Sequence, residues 1–344
     1  MAPVNRTTAW DTERDQLLGR RISDLGLAIA GSRVERLVTR LYAELGERGI
    51  AFRPTVYLSD QWGCPDDTPL IGVPFYLADE RLERIEAEHA GAVESDEEAM
   101  RYLRHEAGHA LNYAFRLYAR EEFVTVFGDY GRPYDEHYRA DPLSRDHVRH
   151  ILGWYAQKHP DEDFAETFAV WLTPEADWRS EYVGWGALRK LEWVDAVMRE
   201  VAALAPAAPP ITEDDLPVDA MHMTVGEHYA GDERLPIGDA RQFDADLRRV
   251  FASGADSPAG EEAASFLQRH EGELVARISY WAGVGPTVVR SLVRALADRA
   301  AVLRLRVAGL DAATLIELTA FGTTVAMHWR YQHVRPVTQR GGVQ

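Results

Sequence analysis

Within RYLRHEAGHALNYAFRLY, residues 101 to 118, two histidines stand four positions apart and a glutamate follows the first. An α-helix turns about 100° per residue, so His105 and His109 would lie one above the other on one face, roughly 6 Å apart along the axis. Two imidazoles so placed can hold one divalent ion such as zinc. Glu106, rotated to the side, can reach a water on that ion without ligating it. The neighbours predict a helix, because Leu103, Ala107, Ala110, Leu111 and Ala114 form an apolar stripe. Gly108 weakens that helix by about 1 kcal/mol relative to alanine, yet a residue without a side chain lets another backbone come close. The competing reading is a solvated helix that carries two histidines by chance. A third protein ligand decides between them, since a hydrolytic zinc site uses three and leaves one position open.

Residues 154 to 172, WYAQKHPDEDFAETFAVWL, offer that ligand. Pro160 suits the first turn of a helix, on which Glu162 and Glu166 fall one turn apart on the same face. One carboxylate can ligate the ion while the other accepts a hydrogen bond from the free ring nitrogen of a ligating histidine. Spacing alone does not say which. His159 and Asp163 form a second i,i+4 pair and are the competing ligands. Phe164, Phe168, Ala169 and Leu172 supply the apolar face that would hold this helix against the first.

HEAGH, followed by Tyr155 and then HPDEDFAETFAVWL, resembles the gluzincin class of zinc metallopeptidases. It most specifically resembles the family described as zinc-binding metallopeptidases, whose members carry a similar HP-x-ED-[FW]-AET-[FW]-A segment. More distantly it is similar to the catalytic domain of the anthrax lethal factor type, with its HExxH helix, tyrosine and EFFAE pattern. The similarity covers about residues 100 to 175. It implies Zn2+ held by His105, His109 and Glu162, with Glu106 as general base and Glu166 behind a ligating histidine. Tyr155 would be the tyrosine that stabilises the oxyanion. The implied reaction is hydrolysis of a peptide or related amide bond by a zinc-activated water. Two other readings are a zinc domain that has lost turnover and serves as a binding or scaffold protein, and a narrow small-peptide amidase in a biosynthetic pathway. The presence of all five site residues, His105, Glu106, His109, Glu162 and Glu166, favours an enzyme.

The elements that must position these residues are legible in outline. Residues 11 to 49 read as helical, from Leu18, Ile22, Leu25 and Ile29 and then Val34, Leu37, Val38 and Leu41. FRPTVYLSD, from Phe52, and LIGVPFYLAD, from Leu70, predict two short strands. Pro74 places the second at an edge, or at least at a bulge, and at an edge a peptide backbone could pair around Val73 to Leu77. ERLERIEAEHA predicts a short helix, and Ser95 an N-cap that opens the helix of the motif. The proline-rich, acidic run APAAPPITEDDLP predicts a linker. The expected class is α+β: a zincin-like metallopeptidase domain over residues 1–204, mostly helical with a small sheet, a linker over 205–217, and a helical C-terminal domain over 218–344.

An excess of 55 acidic over 38 basic residues, a net charge of −17, argues against nucleic acid or an anionic membrane as partner, since those are bound through basic patches. A peptide or small amide substrate is the partner that remains. Cys64 is the single cysteine, which excludes an internal disulfide and a structural zinc site built from several cysteines, and suits the cytoplasm. The N-terminus lacks the apolar core of a signal peptide, and Glu317 interrupts the most apolar stretch, so neither export nor membrane insertion is expected. His137, His147 and His150 read as surface or hydrogen-bonding residues.

Overall fold

The structure, a computed structural model, describes residues 9–90, 93–134, 138, 140–174, 176–204, 206, 216–230, 240–254 and 260–333. The chain divides into two compact units between Asp232 and Glu233. The first is mostly helical with a small sheet. Its helices are α1 (Ala9–Leu18), α2 (Arg33–Glu47), α3 (Glu80–Ala90), α4 (Asp96–Phe115), α5 (Glu121–Phe127), α6 (Pro160–Leu172), α7 (Trp178–Glu181), α8 (Gly186–Val201) and α9 (Val225–Ala230). Apolar residues at helical spacing draw these together: Leu37, Leu41 and Leu45 of α2, Leu103 and Leu111 of α4, Phe164 and Phe168 of α6, and Leu191 and Val194 of α8 share one core. The helix α4 packs between α2 and α6, and α6 between α4 and α8.

Two strands, β1 (Thr55–Ser59) and β2 (Leu70–Pro74), pair in parallel with Val56 opposite Ile71 and Leu58 opposite Val73. Pro74 ends β2, and Phe75–Ala78 turn into a 3-10 helix whose Phe75 and Leu77 enter the core. On its other side β2 exchanges backbone hydrogen bonds with the loop before it, Gly72 with Gly63 at 2.7 and 3.3 Å. β2 is the edge of a two-stranded sheet, as expected, but every residue from Val73 to Leu77 is buried and the strand ends at Pro74, so that stretch is not an exposed edge.

The run read as one helical region over residues 11 to 49 is also corrected. Gly26 and Gly31 take φ of 67° and 77°, left-handed conformations that interrupt a helix and that glycine adopts without steric cost. Between α1 and α2 the backbone instead pairs with a distant segment, Ile22 N–H donating to Met223 O and Val225 N–H to Arg20 O, both at 3.0 Å. Ile22 and Leu25 thus face the core from a single 3-10 turn, Ile22–Asp24, and not from an α-helix. Those bonds hold residues 216–230 within the first unit, with Met221 and Val225 in its core. Most of the expected linker at 205–217 lies outside the described residues, as do the C-terminal residues 334–344 and His137.

The second unit has its own apolar core, built from α10 (Asp244–Val250), α11 (Ala263–Arg269), α12 (Glu271–Ala282), α13 (Pro286–Val302) and α14 (Asp311–His333), with an antiparallel pairing of β3 (Ala252–Ser253) and β4 (Leu305–Arg306). Among the described residues, no helix is long and apolar enough to cross a membrane.

Candidate metal centre

The helix α4 starts where its sequence specifies. Ser95 is the N-cap: its Oγ accepts from Glu98 N–H at 3.2 Å while Glu98 Oε2 accepts from Ser95 N–H at 2.8 Å, a reciprocal capping box. A buried bidentate pair then sets its register against α2, with Arg104 donating to both oxygens of Glu44 at 2.7 Å. One turn further along, Gly108 meets α6. A β-carbon built there would stand 2.8 Å from Ala165 Cα, so glycine is what lets the two backbones touch. The helix α6 begins at Pro160, capped by His159, whose Nδ1 accepts from Asp161 N–H at 3.2 Å and whose Nε2 donates to Arg132 O at 2.9 Å. With the crossing fixed at Gly108 and Ala165, the first turns of α6 lie over the two histidines.

Three donor atoms converge there. His105 Nε2 and His109 Nε2 are 3.1 Å apart, and Glu162 Oε2 lies 3.0 Å from the first and 3.2 Å from the second. Among the described residues this is the one group of three or more such side chains whose donor atoms gather within 4.8 Å. Ligands on a tetrahedral zinc stand about 3.3 Å from one another, close to the observed separations. The outer nitrogens are already engaged: His105 Nδ1 lies 2.8 Å from Glu166 Oε1, and His109 Nδ1 lies 3.0 Å from Asp161 Oδ2. If each Nδ1–H donates to its carboxylate, both Nε2 atoms present lone pairs to each other and to a carboxylate oxygen. Such a contact is favourable when a proton or a metal ion lies between them. Two imidazolium rings with nitrogens this close would repel, whereas one divalent ion serves all three lone pairs from a single point.

The same contacts shift the titration of the groups that make them. Burial opposes a charged His105, but Glu162 and Glu166 prevail and push its pKa up to about 9. Burial opposes a charged Glu162 too, and the two histidines outweigh it and hold the carboxyl well below its ordinary value. Glu106 is buried beside the cluster, outside the converging donors, and burial pushes its pKa up.

Each histidine rests on its own carboxylate. Glu166, fully buried, takes His105 on Oε1 and Ile151 N–H on Oε2 at 2.7 Å. Asp161 takes His109 and, on the same oxygen, the Tyr113 hydroxyl at 2.5 Å, while Asn112 Nδ2 donates to its other oxygen at 2.8 Å. Asp161 had no place among the expected site residues. The signal existed: if both histidines are to ligate a metal, the second needs an acceptor as much as the first. Tyr134, whose hydroxyl donates to Glu162 Oε1, was missed because a loop tyrosine carries no periodicity.

Tyr155 is half-buried in a 3-10 turn with its ring centroid 5.6 Å from that of His105. The competing ligands turn elsewhere. His159 caps α6, and Asp163 pairs with Lys190 of α8 at 2.5 Å, both side chains buried. His150 Nε2 meets Arg101 O at 3.1 Å and His147 Nδ1 meets Ser144 Oγ at 3.1 Å; burial holds both imidazoles down at about 4.

Neither the curated proteins nor the solved structures include a match to this chain. Residues 85–183, the span that carries α4, α6 and all three converging side chains, match the model of a family described as "Putative zinc-binding metallo-peptidase".

Proposed function

We propose that the first unit is a zinc-dependent hydrolase of the gluzincin type, with a zincin-like fold, that cleaves a peptide or related amide bond. The observation that carries this reading is the meeting of His105 Nε2, His109 Nε2 and Glu162 Oε2 within a span that matches a zinc-binding metallopeptidase family. Those three residues hold the ion. Zinc in such a site supplies Lewis acidity and a water that ionises near neutral pH. Glu106 takes the proton from the attacking water and returns it to the leaving amine. Glu166 and Asp161 fix the tautomers of His105 and His109, so that each Nε2 lone pair points inward. Tyr155 donates to the oxyanion as the carbonyl becomes tetrahedral. The single cysteine and the net negative charge suit a cytoplasmic enzyme acting on peptides.

Zinc content and digestion of a peptide library test the reading together. The wild-type chain should bind close to one zinc, and His105→Ala and Glu162→Ala should lose it, Glu162→Ala more completely than Glu166→Ala. Glu106→Gln should keep the metal and lose about 10²–10⁴ in turnover. Full zinc occupancy in His105→Ala would sink the site. Zinc bound without cleavage of any peptide would instead support the scaffold reading.

A further inference from the structure

The two oxygens of Glu162 have different neighbours. Oε2 faces both histidine nitrogens, at 3.0 and 3.2 Å, while Oε1 accepts a hydrogen bond from the Tyr134 hydroxyl. Tyr134 is held in place for this contact. Its ring stacks on His159 with centroids 4.4 Å apart and planes 18° from parallel, and Lys158 Nζ lies 4.9 Å from the ring centroid. The backbone leading to it is tied to the same segment. Arg132 O accepts from His159 Nε2 at 2.9 Å, and Arg132 Nη2 donates to Lys158 O at 2.7 Å. The loop that bears Tyr134 is thus fastened to the N-terminus of α6, one turn from Glu162. Yet the residue is 44% exposed, whereas Glu162 is 4% exposed.

A carboxylate can bind a metal through one oxygen or two. Binding through two raises the coordination number and fills the position a hydrolytic site keeps for water. With Oε1 engaged by a fixed phenol, only Oε2 is presented to the ion. We infer that Tyr134 is a positioning residue that makes Glu162 a one-oxygen ligand and so preserves the open coordination position. This rests on Glu162 being a metal ligand, as proposed above.

Tyr134→Phe removes the hydroxyl and keeps the stacking on His159, and three measurements on it test the assignment. Chelator competition should show zinc held about 10–100-fold more weakly than in the wild-type chain, the usual cost of losing such a partner. The cobalt-substituted variant should lose visible absorption intensity relative to the wild type, because a fifth ligand atom weakens the bands of a four-coordinate ion. The melting temperature of the metal-free variant should match that of the wild type, which a merely structural tyrosine would not allow. An unchanged zinc constant or an unchanged cobalt spectrum overturns the role of Tyr134. Glu162→Ala, assayed alongside, separates the two levels: loss of zinc there with no effect of Tyr134→Phe leaves the site standing and removes only Tyr134. Retention of zinc in Glu162→Ala removes the ligand assignment itself.

Discussion

The two units bury different chemistry. The second packs Leu292, Leu296, Phe266, Ile278 and their neighbours into an apolar core, and the polar side chains it buries among the described residues are Ser279, Arg290 and Thr314. The first buries Glu44, Arg104, His105, Glu106, His109, His159, Asp161, Glu162, Asp163, Glu166, Lys190 and Asp195 in a unit about twice as long. Removing a charge from water costs several kcal/mol even after relaxation, so such a concentration is stable only where each charge finds a partner. Along α6 the partners fall on two sides: Asp161, Glu162 and Glu166 meet the histidines of α4, while Asp163 meets Lys190 of α8. The apolar core of the second unit does what any core does. In the first, the charges between α4 and α6 converge on one cluster, while Glu44–Arg104 and Asp163–Lys190 form separate pairs.

The largest effect that would test this contrast comes from removing one buried cation in each unit. Lys190→Met leaves Asp163 buried without its partner, which costs about 3–5 kcal/mol for an ordinary buried pair. Burial already raises Asp163 to about 7 against the pull of Lys190, so the acid will take up a proton and the loss should fall near the lower end. Arg290→Met should behave otherwise. Arg290 Nε is 2.9 Å from Glu271 Oε1 but off hydrogen-bonding geometry, Nη1 has no hydrogen-bond partner, and Glu271 also pairs with Arg294 at 3.1 Å. Replacing this guanidinium by an apolar side chain should change stability by less than about 1 kcal/mol in either direction. Denaturant melts of the two variants decide. Equal losses would mean that Lys190 holds its partner no more tightly than Arg290, the buried cation of the second unit among the described residues, holds Glu271.

A smaller effect separates charges that serve the fold from charges that serve the ion. Asp161→Asn keeps the shape of a side chain that three donors approach, but weakens its hold on the His109 tautomer. Zinc affinity should fall about 10–100-fold, and Glu166→Gln should do the same through His105. Thermal stability of the metal-free forms should change much less than in Lys190→Met. If Asp161→Asn melted as early as Lys190→Met while holding zinc normally, Asp161 would belong with the structural pairs.

What the sequence made legible was whatever followed a local rule. Ser95 capped α4, Pro160 opened α6, and Gly108 admitted a backbone, each because short-range chemistry leaves one favoured arrangement. The spacing of His105, His109, Glu162 and Glu166 survived into three dimensions because helices preserve it. Tertiary choices were not legible. Leu18, Ile22, Leu25 and Ile29 keep helical spacing, yet α1 ends at Leu18 and the backbone of Arg20, Ile22 and Ser23 pairs with Met221, Met223 and Val225. LIGVPFYLAD looked like a strand edge until Phe75 and Leu77 found the core. Asp161 stood beside Glu162 in plain view, but only the direction of each side chain around the first turn of α6 shows that it faces His109 while Asp163 faces Lys190.

The smallest expected effect falls on Tyr155, and it distinguishes the two tyrosines beside the centre. Both rings lie near Lys158 Nζ, 4.9 Å for Tyr134 and 5.2 Å for Tyr155, but the Tyr134 hydroxyl is bonded to Glu162, whereas the Tyr155 ring stands against that of His105. A sole oxyanion donor is worth about 10²–10³ in turnover. Tyr155 would share the developing charge with the cation that the three ligands hold, so Tyr155→Phe should lower kcat only about tenfold, with KM unchanged because the interaction forms as the carbonyl becomes tetrahedral. Its zinc constant should equal that of the wild type if the hydroxyl serves the oxyanion and not a ligand, in contrast to Tyr134→Phe. Steady-state kinetics and chelator competition on the two phenylalanine variants are enough: equal kcat in Tyr155→Phe would return Tyr155 to packing against His105, and a weakened zinc constant would make it a second support of the ligand cluster.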